Sequence, residues 1–159
     1  ERRSEEDARD AAQLAQWALD TRAEYNRVRA LFEKRYGASP VLNPSPAAAL
    51  YSEFEHKHAA GPSLAAGMAA LLPCFWVYAE AGRFIASRMT LDGNPYKEWI
   101  EWYGTPSFDD EASKAAAIAD RLAAEASERE REEMTAVFLK ACRMEWMLWD
   151  AAWQSEDLN

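Results

Sequence analysis

Seven residues, Leu64, Met68, Leu71, Phe75, Tyr78, Gly82 and Ile85, recur at alternating spacings of four and three. Only a helix, with 3.6 residues per turn, keeps such a series on one face. Gly61-Pro62 stops whatever precedes it and Ser63 supplies an N-cap, so a central helix is predicted from there to about Met89. Gly82 lies in its middle, where it costs about 1 kcal/mol relative to Ala. The compensation expected is close approach of another helix or of a ligand. No stretch alternates polar and apolar residues over strand length, and there is no internal repeat, so the fold class is an all-α bundle.

The remaining elements follow the same signals. Ser4, with Glu5, Glu6 and Asp7 behind it, caps a first helix with the stripe Leu14, Ala18, Thr21, Tyr25, Val28, Phe32. Gly37 ends it, and Ala38 to Ser45, with Pro40 and Pro44, reads as a loop. Ser45-Pro46 is a cap followed by a first-turn proline, opening a helix through about Ala59 that carries Tyr51 and Phe54. Asp92-Gly93 is a turn, and Asn94-Pro95 repeats the cap-proline pattern before a short aromatic helix ended by Gly104. Ser107, with Asp109, Asp110 and Glu111, is expected to open a fifth helix through about Ala126. Ser127-Glu-Arg-Glu130 is a capping box for the last one.

Charge and cysteine usage exclude several classes of function. A net charge of −9 argues against nucleic acid or anionic lipid as the main partner. The two cysteines, Cys74 and Cys142, lie on different predicted helices and make no disulfide framework, which points to a reducing, cytoplasmic setting. His56 and His58 face different sides of one helix, so no metal site is predicted. The 21 residues Ala59 to Ala79 are uncharged, but Gly61-Pro62, Ser63 and Pro73 interrupt them, and no membrane span is expected. Seven Trp in 159 residues suit either a large core or a pocket for a flat ligand. The first residue is Glu1, so the chain is expected to begin inside a longer or trimmed product.

Chemistry concentrates in two places. Cys74 and Tyr78 share a helical face, one turn apart, with Glu80 close by. Pro73 precedes the cysteine, and a helix restarting there would present unpaired N–H groups that favour a thiolate. Cys74 is therefore either a nucleophile or a buried structural thiol. On the last helix the stripe Met134, Phe138, Ala141, Leu148, Ala152 passes through Glu145. A carboxylate there must be paired or shifted in pKa, whether by an Arg or Tyr of the core or as part of a site.

Leu71-Leu-Pro-Cys74-Phe-Trp-Val-Tyr78-Ala-Glu80-Ala-Gly82, Asn94-Pro-Tyr-Lys-Glu-Trp99-Ile-Glu-Trp-Tyr103 and Glu145-Trp-Met-Leu-Trp149-Asp150 together resemble the TenA family, in its cysteine-containing class. Asn43-Pro-Ser-Pro-Ala with Tyr51 stands at the family's usual distance upstream. The resemblance covers essentially the whole chain. It implies a haem-oxygenase-like helical bundle without haem, a single domain over 1–159, no cofactor and a homo-oligomer. It implies a thiaminase II or aminopyrimidine aminohydrolase activity, which replaces the group on the exocyclic methylene of an aminopyrimidine with water. Cys74 would be the nucleophile and Glu145 the acid/base, with Tyr51, Tyr78 and Tyr103 binding the pyrimidine. Glu80, Trp99 and Trp149 would shape the core.

The sequence also departs from that pattern. Family members carry about two further helices upstream, bearing an aspartate and an aromatic that grip the aminopyrimidine; Glu1 to Arg35 match a later helix instead. The bundle is therefore expected to be N-terminally incomplete, and its uncovered apolar faces to drive association. Ala81, Trp146 and Leu148 replace more usual residues, and Trp146 would narrow the pocket. The alternative to a hydrolase is a non-catalytic TenA-like module that binds a pyrimidine or only assembles with itself.

Overall fold

A computed structural model describes residues 2–37, 44–94 and 96–154, with the side chains of 2–4, 31, 32, 35 and 36 outside the description. Six helices are present: α1 (Arg2–Tyr36), α2 (Pro46–Ala59), α3 (Leu64–Ala86), α4 (Lys97–Tyr103), α5 (Pro106–Glu125) and α6 (Glu128–Gln154). Among the described residues there is no strand. The chain divides into two compact units, Glu1–Asn43 and Pro44–Asn159.

The first unit is α1. It starts at Arg2, ahead of the expected cap at Ser4. Its surface is laced by pairs one turn apart: Gln16 donates to Asp20 (2.8 Å), Arg27 grips both oxygens of Glu24, and Arg29 reaches Glu33 (3.1 Å). Each such pair contributes a few tenths of a kcal/mol, roughly 0.2–0.5. Of the expected stripe, Tyr25 and Val28 are exposed, and the Phe32 side chain lies outside the described residues. Gly37 ends the helix as expected, at φ 73° with its N–H donating to the Glu33 carbonyl. Most of the loop expected over Ala38 to Ser45 lies outside the described residues.

The second unit is built around α3. Helices α2, α4, α5 and α6 all pack on it, and α2 and α5 also meet α6. Because neighbours approach from several sides, burial on α3 is not one stripe: Ala66, Met68, Ala69, Ala70, Leu72, Pro73, Ala79 and Gly82 are buried, while Leu64 is exposed. Four of these are alanines, whose small side chains let backbones come close. By length and composition alone α3 could cross a membrane. Here it is the centre of a helical unit.

The caps are local and mostly where the sequence put them. The Ser45 and Ser63 hydroxyls accept from the N–H groups of Ala48 and Ala66, both at 3.1 Å. At α6 the box closes in both directions: Glu130 accepts from the Ser127 N–H (2.8 Å), and the Ser127 hydroxyl accepts from the Glu130 N–H (3.3 Å). Two starts differ. Helix α5 is capped by Thr105, two residues before Ser107, because Thr105-Pro106 is itself a cap with a first-turn proline. Helix α4 begins at Lys97, because Asn94 spends its side chain on an Asx turn, accepting from the Tyr96 N–H at 2.9 Å.

Candidate active site

Pro73 does not break α3. The helix runs from Leu64 to Ala86 through a fully buried Pro73, so Cys74 stands in a continuous helix and not at a new N-terminus. The expected help to a thiolate from unpaired N–H groups is therefore missing. What surrounds the thiol instead is a chain of acids.

Tyr51 on α2, Cys74 on α3 and Glu145 on α6 meet in the core of the second unit. The Tyr51 hydroxyl donates to Glu145 Oε1 at 2.9 Å and lies 3.1 Å from Cys74 Sγ. The thiol donates to Glu55 Oε1 at 3.1 Å. Glu55 is one helical turn after Tyr51 on α2, so both present the same face to α3. Sequence reasoning missed Glu55, although its spacing from Tyr51 marks a shared face; between Glu53 and His56 it reads as part of a solvated charged run.

Glu145 is the polar residue of this core, at 1% exposure, and its Oε2 is buried without a hydrogen-bond partner among the described residues. Burial raises its pKa above the ordinary glutamate value, and hydrogen bonds from Tyr51 and Cys74 pull it part of the way back. Burial also raises Glu55, against which the thiol hydrogen bond and the His56 charge act. Cys74 is pushed up, first by burial and then by the charges of Glu55 and Glu145, so the resting group is a thiol. Tyr51 is raised for the same reasons, burial first, and keeps its proton.

The other two expected binding residues sit beside this chain. Tyr78 packs against Tyr103 (ring centres 5.1 Å apart) and Trp149 (5.4 Å). Trp99 meets Tyr103 (4.7 Å) and Trp149 (5.9 Å), and Phe108 closes edge-on to Tyr103 at 4.9 Å. Burial raises the Tyr78 pKa, followed by the charges of Glu145, Tyr103 and Cys74, which puts this aromatic wall within electrostatic reach of the acids. Trp99 is half-buried in this group, but Trp149, expected to shape the core, is exposed at 37% on the group's outer side. Glu80, also expected to shape the core, is exposed and pairs with Arg83 on the surface. Trp146 points outward at 66% exposure and narrows nothing. Among the described residues no three His, Cys, Asp or Glu are grouped to hold a metal.

The electrostatics predict a pH dependence of folding. With raised native pKa values, Glu55 and Glu145 hold protons at pH values where the unfolded chain has lost them. The native state then binds more protons, and stability falls as pH rises from the ordinary glutamate range upward. Glu145→Gln removes one of the two groups. Its unfolding midpoint should gain on the wild type's between about pH 5 and 8 in a thermal melt at fixed ionic strength. A difference that stays constant over that range would contradict the raised pKa.

Residues 14–155 match the TENA/THI-4/PQQC family. The aminopyrimidine aminohydrolase of Bacillus subtilis is 31% identical over 118 residues, covering 73% of this chain and 49% of that protein. The corresponding protein of Halalkalibacterium halodurans is 29% identical, over 80% of this chain and 59% of its own. The thiamine biosynthesis multifunctional protein ThiED of Corynebacterium efficiens is 29% identical over 91% of this chain, which is 20% of that longer protein. The chain thus spans about half the length of the aminohydrolases it matches. Among solved structures, a TenA homologue from P. horikoshii OT3 superposes with a TM-score of 0.75 at 23% identity, covering 90% of this chain and 68% of that one. That likeness carries the fold, a haem-oxygenase-like helical bundle.

Proposed function

The chain belongs to the TENA/THI-4/PQQC family, and from that premise we propose that its Cys74–Tyr51–Glu145 cluster hydrolyses an aminopyrimidine of thiamin metabolism. The substrate would be a 5-aminomethyl-2-methylpyrimidin-4-amine or a thiamin-type precursor, and the product 4-amino-5-hydroxymethyl-2-methylpyrimidine. The observation that carries the reading is the Tyr51 hydroxyl, which touches both a thiol and a buried carboxylate 94 residues away in sequence. Aminohydrolase activity of relatives at about 30% identity supports it.

In this reading Cys74 sulfur adds to an electron-poor ring carbon as its proton leaves, forming a C–S bond. The ring, now electron-rich, expels the amine from the exocyclic methylene; water adds there, and the sulfur departs with the ring restored. The sum is substrate plus water giving alcohol plus ammonia. Glu145 exchanges the ring proton, and burial, which favours its protonated form, suits it to that role. Its unpaired Oε2 is the atom free to accept a hydrogen bond from the ligand. Tyr78 and Tyr103 supply the flat wall against which a pyrimidine stacks. The same reading takes the protein as a cytoplasmic homo-oligomer without cofactor.

A pyrimidine-binding module without turnover is the second reading, favoured by the raised thiol pKa. Ammonia release from 5-aminomethyl-2-methylpyrimidin-4-amine, together with calorimetric binding of the hydroxymethyl product, separates the two. Turnover establishes the hydrolase, and binding without turnover selects the module. Neither binding nor turnover by a folded chain would sink both.

A further inference from the structure

We propose that Glu55 is a further catalytic residue: it takes the proton from the Cys74 thiol as the sulfur attacks, and returns it when the sulfur leaves. This rests on the reading of Cys74 as the nucleophile and assigns its base.

The geometry separates the two carboxylates by task. Cys74 Sγ makes its carboxylate hydrogen bond to Glu55 Oε1, at 3.1 Å, within reach for direct transfer. Glu145 also feels the thiol, but its Oε1 already takes the single hydroxyl proton of Tyr51, at 2.9 Å. Through Tyr51, Glu145 would serve the sulfur by a two-step relay, where Glu55 needs one step. Tyr51 can instead stay neutral and accept from or donate to the sulfur without changing charge. Exposure divides them too. Glu145 is sealed in the core, with Oε2 left for a ligand. Glu55 is half-buried, so its ionised form can exist before attack and its proton can later exchange with solvent.

Counting protons gives the same division. With both carboxylates ionised, the thiol proton lies toward Glu55 and the phenol proton toward Glu145, and the Tyr51–Cys74 contact holds none. Moving one proton from sulfur to Glu55 leaves a thiolate on which Tyr51 can now swing its hydrogen. The thiolate then faces a neutral Glu55 carboxyl and a neutral Tyr51, so one carboxylate, Glu145, opposes it rather than two. The groups facing this transfer are Tyr51 and His56 on α2, Cys74 on α3 and Glu145 on α6. A continuous α3 supplies no helix-terminus charge in compensation. A base within hydrogen-bond range is what such a thiol requires.

The test is alkylation of Cys74 by iodoacetamide in the full chain, followed by peptide mass spectrometry so that Cys142 is read separately. Wild type, Glu55→Gln, Glu55→Asp and Glu145→Gln are compared from about pH 5 to 9, with thermal melts verifying that each is folded. Loss of a base predicts that Glu55→Gln slows alkylation at neutral pH by roughly tenfold or more and that Glu55→Asp recovers part of the rate, whereas Glu145→Gln, which removes only a charge that opposes the thiolate, does not slow it. A Glu55 that merely repels the thiolate predicts the opposite sign: removing its charge would lower the thiol pKa and speed alkylation. Unchanged or faster alkylation in folded Glu55→Gln overturns the proposal. The readout needs no pyrimidine, so a chain that releases no ammonia yet loses alkylation in Glu55→Gln keeps the base while losing the substrate. If turnover is present, Glu55→Gln should lower kcat by roughly 10²-fold or more with little change in KM.

Discussion

Cys74→Ala is expected to abolish ammonia release from 5-aminomethyl-2-methylpyrimidin-4-amine, lowering kcat by roughly 10³-fold or more. The size follows from what the sulfur does in the proposed path. Without a C–S bond the ring never becomes electron-rich enough to expel the amine, so no other side chain takes over the step. The substitution deletes one partly buried sulfur from the edge of the core cluster of Tyr51, Phe54, Ala66, Ala69, Ala70, Met134, Val137, Ala141 and Met144. It also leaves Glu55 without its donor. That loss amounts to about 1 kcal/mol of stability, so the variant should still fold and bind the hydroxymethyl product. Binding by calorimetry with turnover absent is the expected pair of results. Activity within tenfold of wild type would remove Cys74 from the mechanism.

Gly82→Ala is expected to be among the most destabilising single-methyl additions in the second unit. A Cβ at Gly82 would lie 2.1 Å from the Tyr103 carbonyl oxygen and 2.4 Å from its carbon, with the Gly104 nitrogen at 3.0 Å. All three are backbone atoms, which no rotamer change can move. Helix α3 and the end of α4 would have to part, at a cost of about 3 kcal/mol, against about 1 kcal/mol returned by the better helix propensity of Ala. A net loss of about 2 kcal/mol corresponds to a midpoint lower by roughly 4–8 °C for a chain of this size. The displaced residue is Tyr103, which packs on Tyr78, so pyrimidine affinity should fall with stability. An unchanged melting midpoint would show that α3 and α4 are not so close in solution.

This glycine was legible in the sequence as a cost awaiting an explanation. Its position on the central stripe pointed to close approach, but the approaching group is the backbone at the end of α4, which no periodicity names. Glu145 was legible in the same way. Its place on the α6 stripe predicted a buried carboxylate, and the partner that satisfies one of its oxygens is a Tyr, one of the two types expected. Glu55 was not legible. Its neighbours make it look like solvated surface, and only the crossing of α2 over Cys74 brings it to the thiol.

The sequence by itself determined the all-α class and the caps at Ser45, Ser63 and Ser127. These are short-range matters: a hydroxyl reaches an N–H three residues on, and 3.6 residues per turn assigns residues to faces. Only the tertiary structure decided that α3 continues through Pro73, that Trp146 faces outward, and that Tyr51 and Glu55 meet Cys74 from opposite ends of one helical turn. A periodic pattern says that a face is buried, but the partner depends on how helices cross, and that is set by small side chains along the whole of α3 rather than by any residue at the site.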